Sequence, residues 1–224
     1  MIVNKISKDA ISIIDMRDTM YPSYSLATSK NCFIDKKDIG WSTMFGFSTG
    51  KSTIKIENLC LEIFPNQFFS IPIKNKDVEL NVSFGVTFVV FRLGFLGHDI
   101  IGNLDTTKSG KLSYIDGCSD SLLVYPPRFG DASMNYLYFP SNITQSYHTH
   151  PSIRIGYVID GFGFSDTDQT IPLEKNVFFC LEEHELHRFK TDNSFMKIVV
   201  YHPDGEWGPT DENHTMLNRT YIKK

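Results

Sequence analysis

The chain has 224 residues, of which 41% are apolar, and its 22 basic and 26 acidic side chains give a formal charge of -4. This length allows one large or two small domains with their own cores. The nearly balanced charge, without a run of like charges, favours neither a nucleic-acid partner nor a membrane partner.

The cysteines and the N-terminal segment indicate the compartment. The four cysteines lie far apart and form no metal-binding pair, so we expect reduced, largely buried thiols. The first residues lack the apolar core of a signal peptide, and no apolar stretch reaches about 18 residues. We therefore expect a cytoplasmic protein.

The first predicted element is a helix over 7–20, where isoleucines and a methionine alternate with charged residues before Pro22. From residue 53 onward, alternating apolar and polar residues with many β-branched and aromatic side chains predict strands. Turn residues separate them, and the long segment 80–95 should bend or split near Gly85. The predicted strands are 53–63, 68–73, 80–95, 111–115, 121–125, 135–139, 144–149, 153–159, 176–181, 186–190 and 195–201.

So many short strands predict an all-β sandwich or barrel. We divide the chain into a partly helical N-terminal segment (1–45), a β-rich half (46–117), a second half (118–205) and a tail (206–224) with an edge strand at 217–222. The two halves could be structural duplicates, but no residue-level repeat supports this.

Three histidines form the candidate site. Residues two apart on a strand point to the same face, so His148 and His150 would present both rings to one side, about 7 Å apart. His187, from a second segment, would complete a set of three nitrogen donors for a divalent metal ion and leave other positions open. The alternative is that these are surface histidines on a polar strand.

Residues 142–161 resemble the first cupin motif in their spacing, and residues 176–191 resemble the second. The matching positions are Asn142, His148, His150, Arg154 and Gly161, then Asn176, Glu182, His184, His187 and Thr191. Asn142, Asn176 and His184 stand where the family has glycine; asparagine tolerates left-handed backbone, and we expect His184 to be a solvent-facing turn residue rather than a fourth ligand.

The resemblance implies a cupin (jelly-roll) barrel within 118–205. The half at 46–117 would then be a degenerate second barrel, as in a bicupin, or a set of strands packed beside the first.

Arg154 stands where the family has a glutamate ligand, and this is the main departure from the motif. On a regular strand it would share a face with His148 and His150. A positive charge about 8 Å from a divalent ion costs on the order of 4 kcal/mol, so an anion should balance the site. Either the histidines hold a metal and Arg154 clamps an anionic substrate, or the site has no metal and all four residues bind an anion.

Other residues are weaker candidates for the site. Tyr136 and Tyr138 share a face of the preceding strand and could line a pocket, although such stripes also form cores. His202 follows the last strand and could reach the ligand. Gln145 has the wrong parity for the histidine face, so we expect it to be structural.

The resemblance to three-histidine cupin dioxygenases implies a metal-dependent oxidoreductase acting on a small anionic molecule. Fe(II) is the first choice of metal, with Zn, Mn or Ni as alternatives, and we expect a homodimer. Two other functions stay open: a non-catalytic small-molecule sensor, and a sugar isomerase or epimerase that uses histidine as a general base.

Overall fold

A computed structural model describes residues 1–205 of the chain. Of these residues, 56% lie in strands and 3% in helices, which confirms the all-β class. Within this range, neither the helix α1 (Lys36–Ile39) nor the 3-10 turn at Ile115–Gly117 is long enough to cross a lipid bilayer. The predicted tail at 206–224, with its edge strand at 217–222, lies outside the described residues.

The C-terminal half is built on one antiparallel sheet with the order β1-β17-β15-β19-β14-β13-β12. β15 has 13 residues, and its second part leaves this sheet to pair with β16 and β18. The half therefore has two layers joined through β15. Its strands are β1 (Ile2–Lys5), β12 (Leu112–Ser113), β13 (Ser119–Val124), β14 (Ser133–Phe139), β15 (Arg154–Asp166), β16 (Thr170–Glu174), β17 (Val177–Leu181), β18 (Arg188–Lys190) and β19 (Met196–His202).

The N-terminal half consists of two antiparallel sheets, with the orders β11-β8-β5-β10-β3-β2 and β4-β9-β6-β7. Its strands are β2 (Ile11–Met16), β3 (Ser23–Thr28), β4 (Cys32–Ile34), β5 (Trp41–Ser48), β6 (Lys51–Ile56), β7 (Leu59–Ile63), β8 (Gln67–Lys74), β9 (Val78–Phe84), β10 (Thr87–Leu93) and β11 (Ile100–Asn103).

Three apolar cores separate these layers. One fills the N-terminal half between its two sheets, and another fills the C-terminal half between β16, β18 and the large sheet. The third lies between the two large sheets, where Phe45 and Phe88 of one half contact Tyr201 and Tyr157 of the other. Both faces of each large sheet are therefore buried.

The two halves share a strand order. In each, the long central strand (β5 or β15) pairs on one side with β8 or β17 and on the other with β10 or β19. A glycine on this strand faces a phenylalanine in both, as Gly46 pairs with Phe69 and Gly156 with Phe179. When these two glycines are aligned, the buried Met44 of β5 takes the position of Arg154 on β15, two residues before the glycine. A second cupin barrel in the N-terminal half stays a prediction.

Two of the predicted elements are wrong. The segment 7–20 contains strand β2, not a helix, because its isoleucines pair across to β3, with Ile14 buried and Ile13 half exposed. The segment 144–149 forms only single bridges at Thr144 and His148. The break at Gly85 is confirmed: this residue has a φ of 80° and separates β9 from β10.

Replacing Gly156 of β15 is expected to have a large effect on stability. A Cβ atom at Gly156 would lie 2.2 Å from Cζ of Phe179, whose ring is buried in the C-terminal core. We expect Gly156→Ala to lower the free energy of unfolding by about 1–3 kcal/mol, measured by urea denaturation. Ser141→Ala, at an exposed turn, is the control. An unchanged midpoint for Gly156→Ala would show that this ring does not cover the glycine.

Candidate metal centre and ligand cavity

Backbone hydrogen bonds bring the two histidine segments together. The amide of His148 donates to the carbonyl of His187 at 2.9 Å, and the amide of His187 donates to the carbonyl of His148 at 3.0 Å. The amide of His184 donates to the carbonyl of His150 at 2.8 Å. His184 has a φ of 59° and is exposed, which confirms it as a turn residue. Asn142 and Asn176 are also left-handed, with φ of 59° and 70°.

The rings of His148, His150 and His187 form one cluster. Their centroids are 5.1 Å apart for His148 and His150, 4.5 Å for His148 and His187, and 5.1 Å for His150 and His187. One ring nitrogen from each lies within 4.8 Å of the others. This spacing allows all three nitrogens to reach a common ion at about 2.0–2.1 Å after small ring movements.

Two of the rings are oriented by the backbone. Nδ1 of His148 lies 2.9 Å from the carbonyl of Ser146, and Nδ1 of His187 lies 2.9 Å from the carbonyl of Glu185. A carbonyl can only accept, so each Nδ1 carries the proton and each Nε2 keeps its lone pair for a ligand bond. Nε2 of His187 is buried and meets no hydrogen-bond partner among residues 1–205. These residues fit a divalent metal ion.

The cluster is electrically suited to bind a cation. Burial, with a smaller effect from the charge of Arg154, lowers the pKa of His150 to about 3. Burial is also the largest cause that lowers the pKa of His187. The rings of His150 and His187 are therefore neutral near pH 7, which is the form that binds a metal.

Arg154 lies beside the cluster, and its charge has a partner that the sequence did not reveal. Its Nη1 lies 3.6 Å from Oδ1 of Asp204 and also donates to the carbonyls of Ser152 and Ile153. The Ser152 hydroxyl contacts both Arg154 and Asp204. Asp204 therefore supplies a negative charge beside Arg154, whereas the sequence predicts such a charge only from the ligand.

A cavity of about 850 Å³ opens beside the histidines and continues into a small inner pocket. The residues that line both parts are Tyr114, Asp120, His150, Arg154 and His202. The inner pocket also contacts His148, and its wall is mostly apolar, with Leu137, Phe179, Leu181, Phe189, Ile198 and Val200. A small polar ligand would therefore lie with one end at the histidines and be shielded from water there.

Two expected pocket residues face the other way. Tyr136 is buried between the two large sheets, where its hydroxyl donates to the carbonyl of Lys108 at 3.0 Å. Tyr138 packs against that same core and stacks on Phe195. Placing them in the pocket was wrong, because the alternate residues Asn135 and Leu137 of β14 face the cavity.

His202 lines the cavity, as expected, and burial lowers its pKa well below the usual value. Its Nε2 is buried without a hydrogen-bond partner in residues 1–205. The predicted face of Gln145 was wrong, because this residue lines the inner pocket, but its contacts are those of a structural residue: its Oε1 accepts from the amide of Phe189 at 3.3 Å. Strand parity failed there because the segment is not a strand.

No protein-family model matches the sequence, and no curated protein matches it. Solved structures do match its fold. A cupin 2 conserved barrel domain protein from Leptotrichia buccalis is 15% identical, with a TM-score of 0.58 over 88% of this chain and 91% of that one. The protein Ylba from E. coli is 16% identical, with a TM-score of 0.62 over 89% and 84%.

A Bacillus subtilis oxalate decarboxylase with Mn(II) centres is also similar, at 8% identity and a TM-score of 0.55 over 93% of this chain and 78% of that one. These likenesses show the fold. The chain has a cupin fold, as its two motif-like segments predicted, and carries a three-histidine cluster that could hold a divalent metal ion.

Proposed function

We propose that this chain is a metal-dependent cupin enzyme whose ion is held by Nε2 of His148, His150 and His187. The observation that carries the proposal is the cluster of three ring nitrogens within 4.8 Å of one another. Fe(II) is the first candidate, with Zn, Mn or Ni as alternatives, and the Mn(II) centres of the similar decarboxylase support a divalent ion in such a fold.

The substrate in this proposal is a small anion. Arg154 is buried at the cavity wall, next to the histidines, and a guanidinium binds a carboxylate or phosphate through paired hydrogen bonds. The contact between Arg154 and Asp204 keeps this charge compensated before the substrate binds. An anionic substrate would share Arg154 with Asp204 or displace that carboxylate.

The proposed reaction is an oxidation of the dioxygenase type. Fe(II), when bound, would supply the redox chemistry for dioxygen at coordination positions that the protein leaves open. The chain's own residues bind and orient the substrate through Arg154 and exclude water with the apolar wall of the inner pocket. His202 lines the same cavity and stays neutral, because burial lowers its pKa, so it adds no charge beside the bound substrate.

Binding without catalysis is the second candidate. It is favoured by Arg154, which occupies the position of the family's glutamate ligand and would leave the ion with three neutral protein ligands. A sensor of this kind would bind the anion and consume no oxygen.

The test is metal analysis followed by oxygen uptake. For protein purified without chelator, we expect close to one equivalent of iron, measured by plasma mass spectrometry and lost in His148→Ala. We then expect oxygen consumption with at least one member of a panel of small carboxylic and phosphorylated acids, absent in that variant. Bound metal without oxygen uptake would contradict the dioxygenase reaction, and anion binding with neither metal nor oxygen uptake would support the sensor.

A further inference from the structure

The cavity wall carries a second polar group besides Arg154 and the histidines. Asp120 of β13 and Asn135 of β14 both line the cavity of about 850 Å³ that Arg154 and His202 also line. Asp120 also lines the inner pocket, together with His148, His150 and Arg154. Strands β14 and β19 lie between β13 and β15 in the sheet.

The Asp120 carboxylate contributes hydrogen-bond acceptors to the cavity wall. Nδ2 of Asn135 donates to both carboxylate oxygens of Asp120, at 3.0 and 2.8 Å. Oδ1 of Asn135 is buried and has no hydrogen-bond partner in residues 1–205. A carboxylate has about four acceptor positions, so Asp120 keeps acceptor capacity beyond these two bonds. Acceptors that line a cavity without a matching donor are costly unless a ligand supplies one.

Within residues 1–205, Asp120 lacks the cationic partner that two other partly or fully buried carboxylates, Asp166 and Asp204, have. Asp166 lies 3.0 Å from Arg188 and 3.1 Å from Lys190, and Asp204 lies 3.6 Å from Arg154. No basic side chain in the described part of the chain comes within 4.0 Å of the Asp120 carboxylate. Burial raises the pKa of this carboxyl. A cationic donor from the ligand would compensate it.

We propose that Asp120, held by Asn135, binds an ammonium group in this cavity, so that the substrate is a small zwitterion with an ammonium group and a carboxylate. The carboxylate half of this inference rests on the proposed function, and the ammonium half rests on Asp120 and Asn135. An ammonium group has three donors, which match the acceptor positions that remain on the Asp120 carboxylate.

Calorimetric titration of the metal-loaded protein tests this inference. The probes are ω-amino carboxylates of three to six carbons, each compared with the unsubstituted carboxylate of the same length. We expect at least one amino probe to bind at least about tenfold more tightly than its matched acid, the difference typical of a charged hydrogen bond. Asp120→Asn should remove this preference and leave the affinity of the matched acid unchanged.

Two controls keep the result interpretable. Asp168→Asn changes an exposed carboxylate and should leave the preference intact. N-acetylation of the amino probe removes its charge without changing the protein, and should lower its affinity at least about tenfold even if Asp120→Asn folds poorly.

The inference is overturned if no amino probe is preferred, if none binds, or if the preference survives in Asp120→Asn. Its failure is distinguishable from that of the proposed function. Bound metal and binding of the unsubstituted acids, without an amine preference, reject the ammonium site alone. A protein that binds no metal rejects the proposed function. The amine preference is a separate result, because it compares each amino probe with its matched acid.

Discussion

Replacing His187 by alanine is expected to lower the affinity for a divalent metal ion by more than about 100-fold. Loss of an outer-shell partner of a metal ligand already costs about 10–100-fold, so loss of a ligand should cost more. His187 is fully buried, its Nδ1 lies 2.9 Å from the carbonyl of Glu185, and one of its ring nitrogens lies within 4.8 Å of those of His148 and His150. Competition against a chromophoric chelator measures the change.

His184→Asn is the matched control for this change. His184 lies in the same turn, but it is exposed and left-handed, and asparagine tolerates that backbone. The metal affinity of the His184→Asn variant should stay within about twofold of that of the original protein, which is the usual margin for independent sites. Equal losses in both variants would mean that the turn, rather than the His187 ring, determines the affinity, and would contradict the ligand assignment.

The histidine cluster could be predicted because motif spacing records which segments meet. His148 and His187 lie far apart in sequence, and the two motif-like segments nevertheless predicted their meeting. The reasoning about strand faces was less useful. His148 and His150 do converge, but the segment before β15 is held by bridges to the turn before β18 and not by a regular strand. Gln145 was misplaced for the same reason.

The failure at Tyr136 and Tyr138 has a different physical cause. Period-2 alternation correctly predicts that these residues share a face, but it cannot tell which face when both are buried. β14 lies between two cores: Tyr136 belongs to the core between the halves, and Leu137 belongs to the core beside the cavity. Only the tertiary arrangement decides which set faces the ligand.

Asp120 and Asp204 were missed because neither has a local signal. Asp204 follows the last strand, in what reads as an ordinary loop, and contacts Arg154 across 50 residues of sequence. The isoleucines of 7–20 were misread because β-branched residues at an edge strand can imitate a helical stripe. Ile11 and Ile13 are exposed on β2, and only Ile14 is fully buried there.

A charge series at Arg154 and Asp204 should move metal and anion affinity in opposite directions. Asp204→Asn removes one carboxylate that compensates the arginine charge, so we expect weaker metal binding and tighter binding of a small carboxylate. The double change Arg154→Glu with Asp204→Asn removes that positive charge and offers a carboxylate ligand beside the histidines. We expect it to tighten metal binding at least about tenfold and to weaken carboxylate binding by about 10–100-fold.

The double change is preferable to Arg154→Glu alone, because the single change would bring two carboxylates together in a buried site and lower stability. Chelator competition measures the metal affinity, calorimetry with acetate measures the anion affinity, and thermal unfolding of the metal-free proteins checks the fold. The metal affinity should be lowest in Asp204→Asn, intermediate in the original protein and highest in the double variant. If all three bind metal equally while remaining folded, the Arg154 charge does not act on the histidine cluster, and the glutamate position of the motif has no electrostatic role here.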